Sequence, residues 1–566
     1  MLILGQPRSR TSSHRPTAAT VAAPPRPEPQ APDQVRLVLV AMSCLFIVVA
    51  AQLANLAWKS EQIVTAAIVE PVATSFSRPD IVDRNGRLLA TDVEVHSLYA
   101  DPARLLDRDE AIEKLAAILP GLDEAELRKA LSDETKRFVW VRRGLTPKVA
   151  QMVHDLGLPG FAFRKELRRA YPLGALAGHM LGRVDADNKG LAGIESYIDD
   201  HVGIDAVHAT QPTDRAPVRL SIDIGVQAGL EAELADAMAR YQTASAGAIV
   251  MDAKSGEIVA AASLPRIEPA RAADVSDPAK KDRLQSGTYE LGSIFKLMTI
   301  AMVLDRNQAM LQTMVDVRVP LNAGRFEIKD LHPAGRPLSV TEIFLQSSNV
   351  GAGMLALDAG TQAQREFLTR TGLLSAMTTE AGVVAAPHAP MHWDRAETIT
   401  ISYGHGLAVA PLQFAASAAA LVNGGLAVAP TYLVHKSGDS VSGQTRVIAP
   451  ETSAAIRSLM RLNVTDASGT GRRADVAGYE VGGKTGTADI AGPRGYRQGG
   501  VISSFFAAFP MSNPRYVALV MLFEPKPSAE TGGRVLAGLT AAPATARIVS
   551  RLGPLLDLPN NRVDQP

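Results

Sequence analysis

Cysteine is almost absent from this 566-residue chain, where Cys44 is the single one. One thiol excludes an intramolecular disulfide, and it excludes cysteine-rich zinc sites. Everything outside the apolar stretch that holds Cys44 is thiol-free, which suits an oxidising compartment. Net charge is lacking as well. The 58 Lys and Arg balance 58 Asp and Glu, so overall electrostatics gives no reason to expect a nucleic-acid partner. No internal repeat is present. Residues 1–36 have almost no large apolar side chains and are rich in Pro, Ala, Arg, Ser and Thr. Such a segment cannot offset its ordering entropy by burial, and a disordered tail is expected there.

Apolar material is plentiful elsewhere. A hydrophobic content of 46% with 20% charged residues suits a globular chain with a large core. The length suits two to four domains of roughly 100–200 residues each. Residues 37–58 form one apolar run, broken only by Ser43, Gln52 and Asn55. About 20 apolar residues cross a bilayer as a helix. Trp58 and Lys59 stand where interfacial anchors belong. Arg8, Arg10, Arg15, Arg26 and Arg36 precede the run, which predicts a cytoplasmic N-terminus. A buried core helix is the bland rival. A signal peptide cleaved near Ala50–Ala54 is the sharper one, and the length of the run favours an uncleaved anchor.

Residues 59–213 read as a mixed N-terminal region. Asn85-Gly86 between Ile81-Val82 and Leu88-Leu89 is a hairpin signal. Residues 109–157 carry helical patterning with acidic starts such as Asp123-Glu-Ala-Glu-Leu127. The basic run Arg164–Arg169 reads as a solvated strand face. A polar, turn-rich stretch, Gln211–Pro217, marks a boundary near Thr213. A second domain is expected over 214–555, with a tail at 556–566. In it Val218–Asp223 reads as a strand and Gln227–Arg240 as an amphipathic helix. Ala248–Asp252 and Ile258–Ala262 read as a hairpin. Phe505–Pro510 and Tyr516–Phe523 are further strands, followed by a helix over Ala544–Leu552. Strands at both ends with helical sequence between them predict an α+β domain whose sheet joins distant segments.

Three strings in that domain point to one chemistry: Ser293-Ile-Phe-Lys296, Ser347-Ser-Asn349 and Lys484-Thr-Gly486. In that order they match the S-x-x-K, S-x-N and K-T-G signature of penicillin-reactive serine acyl-transferases. A serine hydroxyl needs a nearby base, and residues three apart share a helix face. Ser293 and Lys296 are therefore the candidate nucleophile and base. A lysine serves as base only when desolvation or a neighbouring cation lowers its pKa, and Lys484 is the candidate neighbour. Gly292 is expected to leave room for substrate beside the serine. Ser347 can relay a proton, and the Asn349 amide can hold a substrate carbonyl. The small residues around Lys484-Thr485-Gly486-Thr487 suit a strand edge that receives an extended peptide. Lys484 and Thr485 can bind a carboxylate. The backbone N–H groups of Ser293 and Thr487 are the candidate oxyanion hole. S-x-x-K alone arises by chance about once in a chain this long; all three motifs in order are far more specific. His332, His405 and Asp330 lie near these motifs and read as structural hydrogen-bonders rather than catalysts.

With these residues the chain resembles the class B penicillin-binding proteins. Tyr289–Lys296 resembles the family's nucleophile segment, with Leu291 where proline is common. Ser347-Ser-Asn-Val-Gly351 is similar to the division-specific, FtsI-type branch. Tyr403-Gly-His-Gly-Leu407, Ala410-Pro-Leu-Gln413 and Gly469-Thr-Gly471 resemble further family segments. Arg78–Gly86, Tyr171-Pro172, His179–Gly182 and Gly193-Ile-Glu195 look like the pedestal module, with Pro79 where glycine is usual. The resemblance implies an α+β fold: a serine penicillin-recognising transpeptidase domain, its sheet flanked by helices, an elongated N-terminal pedestal and one transmembrane helix. It implies a septal peptidoglycan D,D-transpeptidase of the inner membrane, with its catalytic domain in the periplasm. Ser293 would be acylated by D-Ala–D-Ala stem peptides or by β-lactams. A SEDS-type glycosyltransferase (FtsW) and other division proteins are the implied partners, and neither metal nor organic cofactor is implied. Two other readings stay open: a D,D-carboxypeptidase or β-lactamase-like hydrolase, and a non-catalytic penicillin-binding division scaffold.

Overall fold

In the computed structural model of this chain, residues 33–66, 77–201, 216–324, 326–435, 444–492 and 495–559 are described. Most of the expected disordered tail and the expected boundary at Thr213 lie outside the described residues.

Helix α1 spans Asp33–Ala66, so the helix takes in the last four residues assigned to the tail and runs past Trp58. Its stretch Leu37–Asn55 is long and apolar enough to cross a membrane. At 1.5 Å rise, 19 residues cover roughly 28 Å, about the thickness of a bilayer's hydrocarbon core.

Beyond residue 75 the chain forms one further unit. It begins with a sheet built on a short hairpin, β1 (Ile81–Val82) and β2 (Leu88–Ala100). Gly86 takes φ +83° at the turn between them, the conformation Asn-Gly turns require. The Asp83 carboxylate fixes this turn by accepting from the Asn85 and Arg87 N–H groups, both at 2.8 Å. Two helices follow, α2 (Arg108–Ile118) and α3 (Glu124–Leu131), each started by an aspartate cap. Strand β3 (Val139–Leu145), helix α4 (Pro147–Asp155) and strand β4 (Phe161–Ala170) come next. The continuous helical pattern expected over 109–157 is thus interrupted by β3. The outer part of β2 lies between β3 and β4, so each of the three strands has pairing partners that are distant in sequence.

The solvated face expected at Arg164–Arg169 is corrected at its last residue. The Arg169 side chain is buried, bonded to Glu195 at 2.7 Å and Asp92 at 3.2 Å. Glu195 lies on α5 (Gly193–His201) and also binds Arg78 at 2.9 Å. Arg78 reaches Asp199 as well. A buried charge is tolerated when it is paired and hydrogen-bonded, and here two guanidiniums share three carboxylates.

The join to the second region is a strand contact. β5 (Val218–Arg219) pairs in parallel with β1; the strand expected over Val218–Asp223 is shorter, since Leu220 and Ser221 pair with Leu433 and Tyr432 and Asp223 caps α6 (Ile224–Tyr241). Asp83 also accepts from Ile224 N at 3.2 Å. Ile81, Leu89, Met180 and Ile194 share one apolar core with Leu220, Ile222, Ile249 and Met251. The pedestal base and the second region are therefore packed as one body.

The second region's sheet has strand order β8-β9-β10-β6-β7. Its strands are β6 (Ser245–Asp252), β7 (Ile258–Leu264), β8 (Gly482–Gly492), β9 (Gly495–Phe509) and β10 (Tyr516–Phe523). The expected hairpin and the joining of distant segments are both present. Side chains alternate across a strand. Ala518, Val520 and Leu522 point to one core, against α6 and the terminal helix α11 (Ala541–Leu552). Val517, Leu519 and Met521 point to the other core, against the central helices. Burial on both faces explains why β10 is an unbroken apolar run. Leu556 and Leu558 join the first of these cores, so the packed domain extends past residue 555 into the expected tail.

Candidate active site

The nucleophile segment is a tight turn. Gly292–Phe295 forms a 3-10 turn that leads into α7 (Lys296–Asp305). Gly292 has φ +58°, and a Cβ there would lie 2.6 Å from the Thr487 carbonyl oxygen. Gly486 faces the turn from the other side, where a Cβ would meet Leu291 O at 2.5 Å. The expectation that Gly292 leaves space for substrate is therefore corrected: the glycines let the nucleophile turn lie directly against β8.

Helix α8 (Val340–Gln346) starts with a Ser339–Glu342 capping box and ends at Ser347, which has φ +61°. This left-handed residue turns the chain at once into α9 (Asn349–Ala359), capped by Ser348. Asp330 holds the junction. It accepts from Ser348 Oγ at 2.6 Å, Asn349 N at 2.5 Å and Val350 N at 3.0 Å. Anchored helix ends on both sides make Ser347 and Asn349 a rigid pair of side chains.

These pieces meet at Lys296. Its Nζ donates to Ser293 Oγ at 2.7 Å, Asn349 Oδ1 at 2.7 Å and Ser347 Oγ at 3.3 Å. Lys484 Nζ donates to Ser347 Oγ at 3.0 Å and reaches Thr470 Oγ1 at 3.4 Å. Ser347 thus bridges the two amines. Both lysines are completely buried, and their hydrogen-bond partners are neutral oxygens. Burial drives Lys296 well below the ordinary lysine value, the Lys484 charge pushes the same way, and Asp330 opposes them. Burial alone lowers Lys484 to about 7. A neutral Lys296 beside a hydroxyl at 2.7 Å can take its proton.

β8 is the edge strand of the sheet, so among the described residues one side of its backbone has no strand partner. Thr485 Oγ1 donates to Thr470 Oγ1 at 2.8 Å, and Thr487 Oγ1 accepts from Ala537 N at 3.1 Å. Ser293, Ser347, Asn349, Thr485 and Thr487 all line one cleft of about 950 Å³, large enough for a peptide segment.

A domain model described as "Penicillin binding protein transpeptidase domain" matches residues 246–545, more than half the chain. A second, "Penicillin-binding Protein dimerisation domain", matches 74–207. The chain is 37% identical to the probable peptidoglycan D,D-transpeptidase FtsI of Caulobacter vibrioides, over 85% of this chain and 81% of the relative. It is 31% identical to the probable peptidoglycan D,D-transpeptidase PenA of Neisseria gonorrhoeae, over 83% and 84% of the two chains. It is 30% identical to the peptidoglycan D,D-transpeptidase FtsI of Escherichia coli, over 84% and 83%. This chain belongs to the class B penicillin-binding proteins, of the FtsI type.

In this class B protein all eight residues singled out from the sequence fall at one place. Ser293, Lys296, Ser347, Asn349 and Lys484 form a continuous hydrogen-bonded set. Thr485, Gly486 and Thr487 follow along the adjoining strand. Sequence reasoning assigned no role to two others. Thr470, inside the Gly-Thr-Gly segment, supplies a hydroxyl to both Lys484 and Thr485. Asn463, on α10 (Pro450–Thr465), accepts from Thr470 N at 3.1 Å and donates to the Gly483 carbonyl at 2.8 Å. Nothing in its local sequence marks Asn463; its burial does. His405 packs outside this set, with Tyr496 Oη at 3.3 Å and Glu290 at 3.2 Å. His332 lines the cleft wall.

Proposed function

We propose that this protein is the septal D,D-transpeptidase of its cell, working through an acyl-enzyme on Ser293. The contact that carries this reading is Lys296 Nζ to Ser293 Oγ at 2.7 Å, with both lysines shifted toward the neutral form. Lys296 takes the Ser293 proton as Oγ attacks the carbonyl carbon of the penultimate D-alanine. The backbone N–H groups of Ser293 and Thr487 receive the oxyanion. Asn349 orients Lys296 and holds the peptide. Ser347 passes a proton to the departing amine, and D-alanine leaves. An acceptor amine then attacks the ester, its proton returns through the same groups, and Ser293 is restored as the cross-link forms. Lys484 and Thr485 hold the donor's terminal carboxylate on β8. A β-lactam enters as a donor whose leaving group stays attached, so the ester persists.

The apolar segment of α1 anchors the chain in the inner membrane, with arginines on the cytoplasmic side and the catalytic body in the periplasm. Pedestal and anchor are the surfaces for a SEDS-type glycosyltransferase (FtsW) and other division proteins. A hydrolase using water as acceptor would need the same three motifs, but the pedestal and anchor favour a membrane-assembled transferase. The test is fluorescent-penicillin labelling of washed membranes, wild type against Ser293→Ala, with muropeptide analysis of the products. Stoichiometric label lost in Ser293→Ala, with cross-linked dimers, is the expected result. Trimmed monomers alone would favour the hydrolase. Septation supported by Ser293→Ala would favour the scaffold.

A further inference from the structure

Glu290 stands three residues before the nucleophile, and acyl transfer makes no direct use of it. Its side chain is largely buried. Oε1 accepts from Gly406 N at 2.8 Å. Oε2 accepts from Tyr496 Oη at 2.9 Å and lies 3.2 Å from His405 Nδ1. Three distant stretches thus converge on one carboxylate. They are the nucleophile segment, the loop that follows the helix Arg395–Ser402, and the start of β9. Tyr496 pairs with Ala491 of β8, so its hydroxyl ties the β8–β9 arm to the nucleophile segment. Burial pushes the Glu290 carboxyl up, but the bonds from His405, Gly406 and Tyr496 outweigh it, and the group ends below its ordinary value. Burial and the Glu290 charge push the Tyr496 hydroxyl up, so it keeps the proton it donates.

The backbone along this seam is equally close. Tyr289 and Val409 exchange two hydrogen bonds, both at 3.0 Å, and Gly292 N donates to Gly404 O at 3.1 Å. A Cβ on Gly404 would lie 2.1 Å from the Gly292 carbonyl oxygen. The same loop places the Tyr403 ring 5.9 Å from Lys296 Nζ. The nucleophile turn is therefore gripped between this loop and β8. The grip matters because the two oxyanion donors sit on different pieces, Ser293 N on the turn and Thr487 N on β8. A small slip of one piece past the other changes their separation. Such a donor pair works only when it is held in place before the charge develops.

We infer that Glu290 is a positioning residue for acyl transfer: its carboxylate fixes the nucleophile turn against the β8–β9 arm and so sets the spacing of the two N–H groups that receive the oxyanion. Tyr496 is the other half of this clamp. Neither side chain touches the reacting atoms. The clamp rests on the transpeptidase reading and deepens it, by naming what keeps the oxyanion donors in register.

The test is the saturation kinetics of benzylpenicillin acylation, on the full chain in detergent micelles. It separates the dissociation constant of the first complex from k2, the rate constant of the covalent step. A displacement of about 1 Å near the chemistry costs about 10²-fold, and a clamp that relaxes in part costs less. Glu290→Ala should lower k2 about 30-fold and leave the dissociation constant within about twofold. Glu290→Gln, whose amide can still meet the Gly406 N–H and the Tyr496 hydroxyl, should restore k2 to within about threefold of wild type. Tyr496→Phe should lower k2 about fivefold. Tyr496 is 54% exposed, so losing its hydroxyl leaves the fold intact, and this variant decides if Glu290→Ala does not fold. Thermal unfolding and labelling stoichiometry report on folding separately. A merely structural role would lower those two and leave k2 of the labelled fraction at the wild-type value, which would overturn the clamp. So would a loss carried by the dissociation constant alone, or a Glu290→Gln as slow as Glu290→Ala. Wild type that takes no label would overturn the acyl-enzyme reading and the clamp with it. Wild type that labels fully, beside variants with unchanged k2, would overturn the clamp alone.

Discussion

The pedestal buries Arg78 and Arg169, and the catalytic cleft buries Lys296 and Lys484. The two sets differ in their partners. The arginines have Glu195, Asp92 and Asp199 within bonding reach. The lysines have hydroxyls and an amide oxygen. Burial pulls Arg169 down, but Glu195 and Asp92 outweigh it and its pKa ends above the ordinary value. Burial pulls Lys296 and Lys484 down with no carboxylate bonded to either, and both fall. The same desolvation therefore yields a locked charge in one place and a base in the other. What decides is whether a counter-charge is buried alongside. The choice of side chain agrees, since guanidinium does not lose its proton and ammonium does.

The comparison can be broken from either side. The largest effect is expected for Lys296→Arg. It places a permanent cation near Ser293 that cannot accept a proton, and acylation by benzylpenicillin should fall roughly 10²–10⁴-fold, measured as the second-order labelling rate. A fall under tenfold would show that another group serves as base. On the pedestal side, Glu195→Gln leaves two buried guanidiniums short of a counter-charge. It should destabilise the chain by roughly 3–5 kcal/mol, read from denaturant unfolding followed by a pedestal fluorophore. An unchanged midpoint would mean that Asp92 and Asp199 suffice.

Smaller changes sharpen the picture. Ser347→Ala removes the hydroxyl that bridges the two amines and should slow acylation by about 10–100-fold. Asn463→Ala acts only through Thr470 and the Gly483 carbonyl. It should slow acylation by about tenfold or less and leave labelling stoichiometry intact. A further test concerns stability against pH. Lys484 has a folded pKa near 7 and an ordinary value of 10.5. Between those limits the unfolded chain holds a proton that the folded chain lacks, so this residue makes stability rise with pH over that window. Lys484→Met should flatten that slope, as followed by thermal unfolding at stepped pH.

The sequence made the chemistry legible because acyl transfer needs fixed residue types at short spacings. Ser293 and Lys296 are one helical step apart. Ser347 and Asn349 flank a cap, and Lys484–Thr487 lie on one strand. What was hidden depends on chain segments far apart. The burial of Arg169 is set by Glu195 and Asp92, and nothing near Arg164–Arg169 announces them. β3 pairs with β2 some 45 residues upstream (His96 with Leu145, for example), so its strand character was masked by helical neighbours. The role of Gly292 comes from Thr487, nearly 200 residues later. The strands β6 and β10, by contrast, are legible as apolar runs of strand length, with the turn signal Ser512-Asn-Pro514 just before β10.

The central claim is that Lys296 is uncharged at neutral pH because it is buried against neutral oxygens and faces another cation. The pH dependence of wild-type acylation by benzylpenicillin tests it most directly. The account predicts a rate already at its plateau on the acid side of the ordinary lysine range, declining as Lys484 loses its proton above about 7. A rate that instead climbs tenfold per pH unit up to the ordinary lysine value would mean a charged Lys296, and would contradict the mechanism.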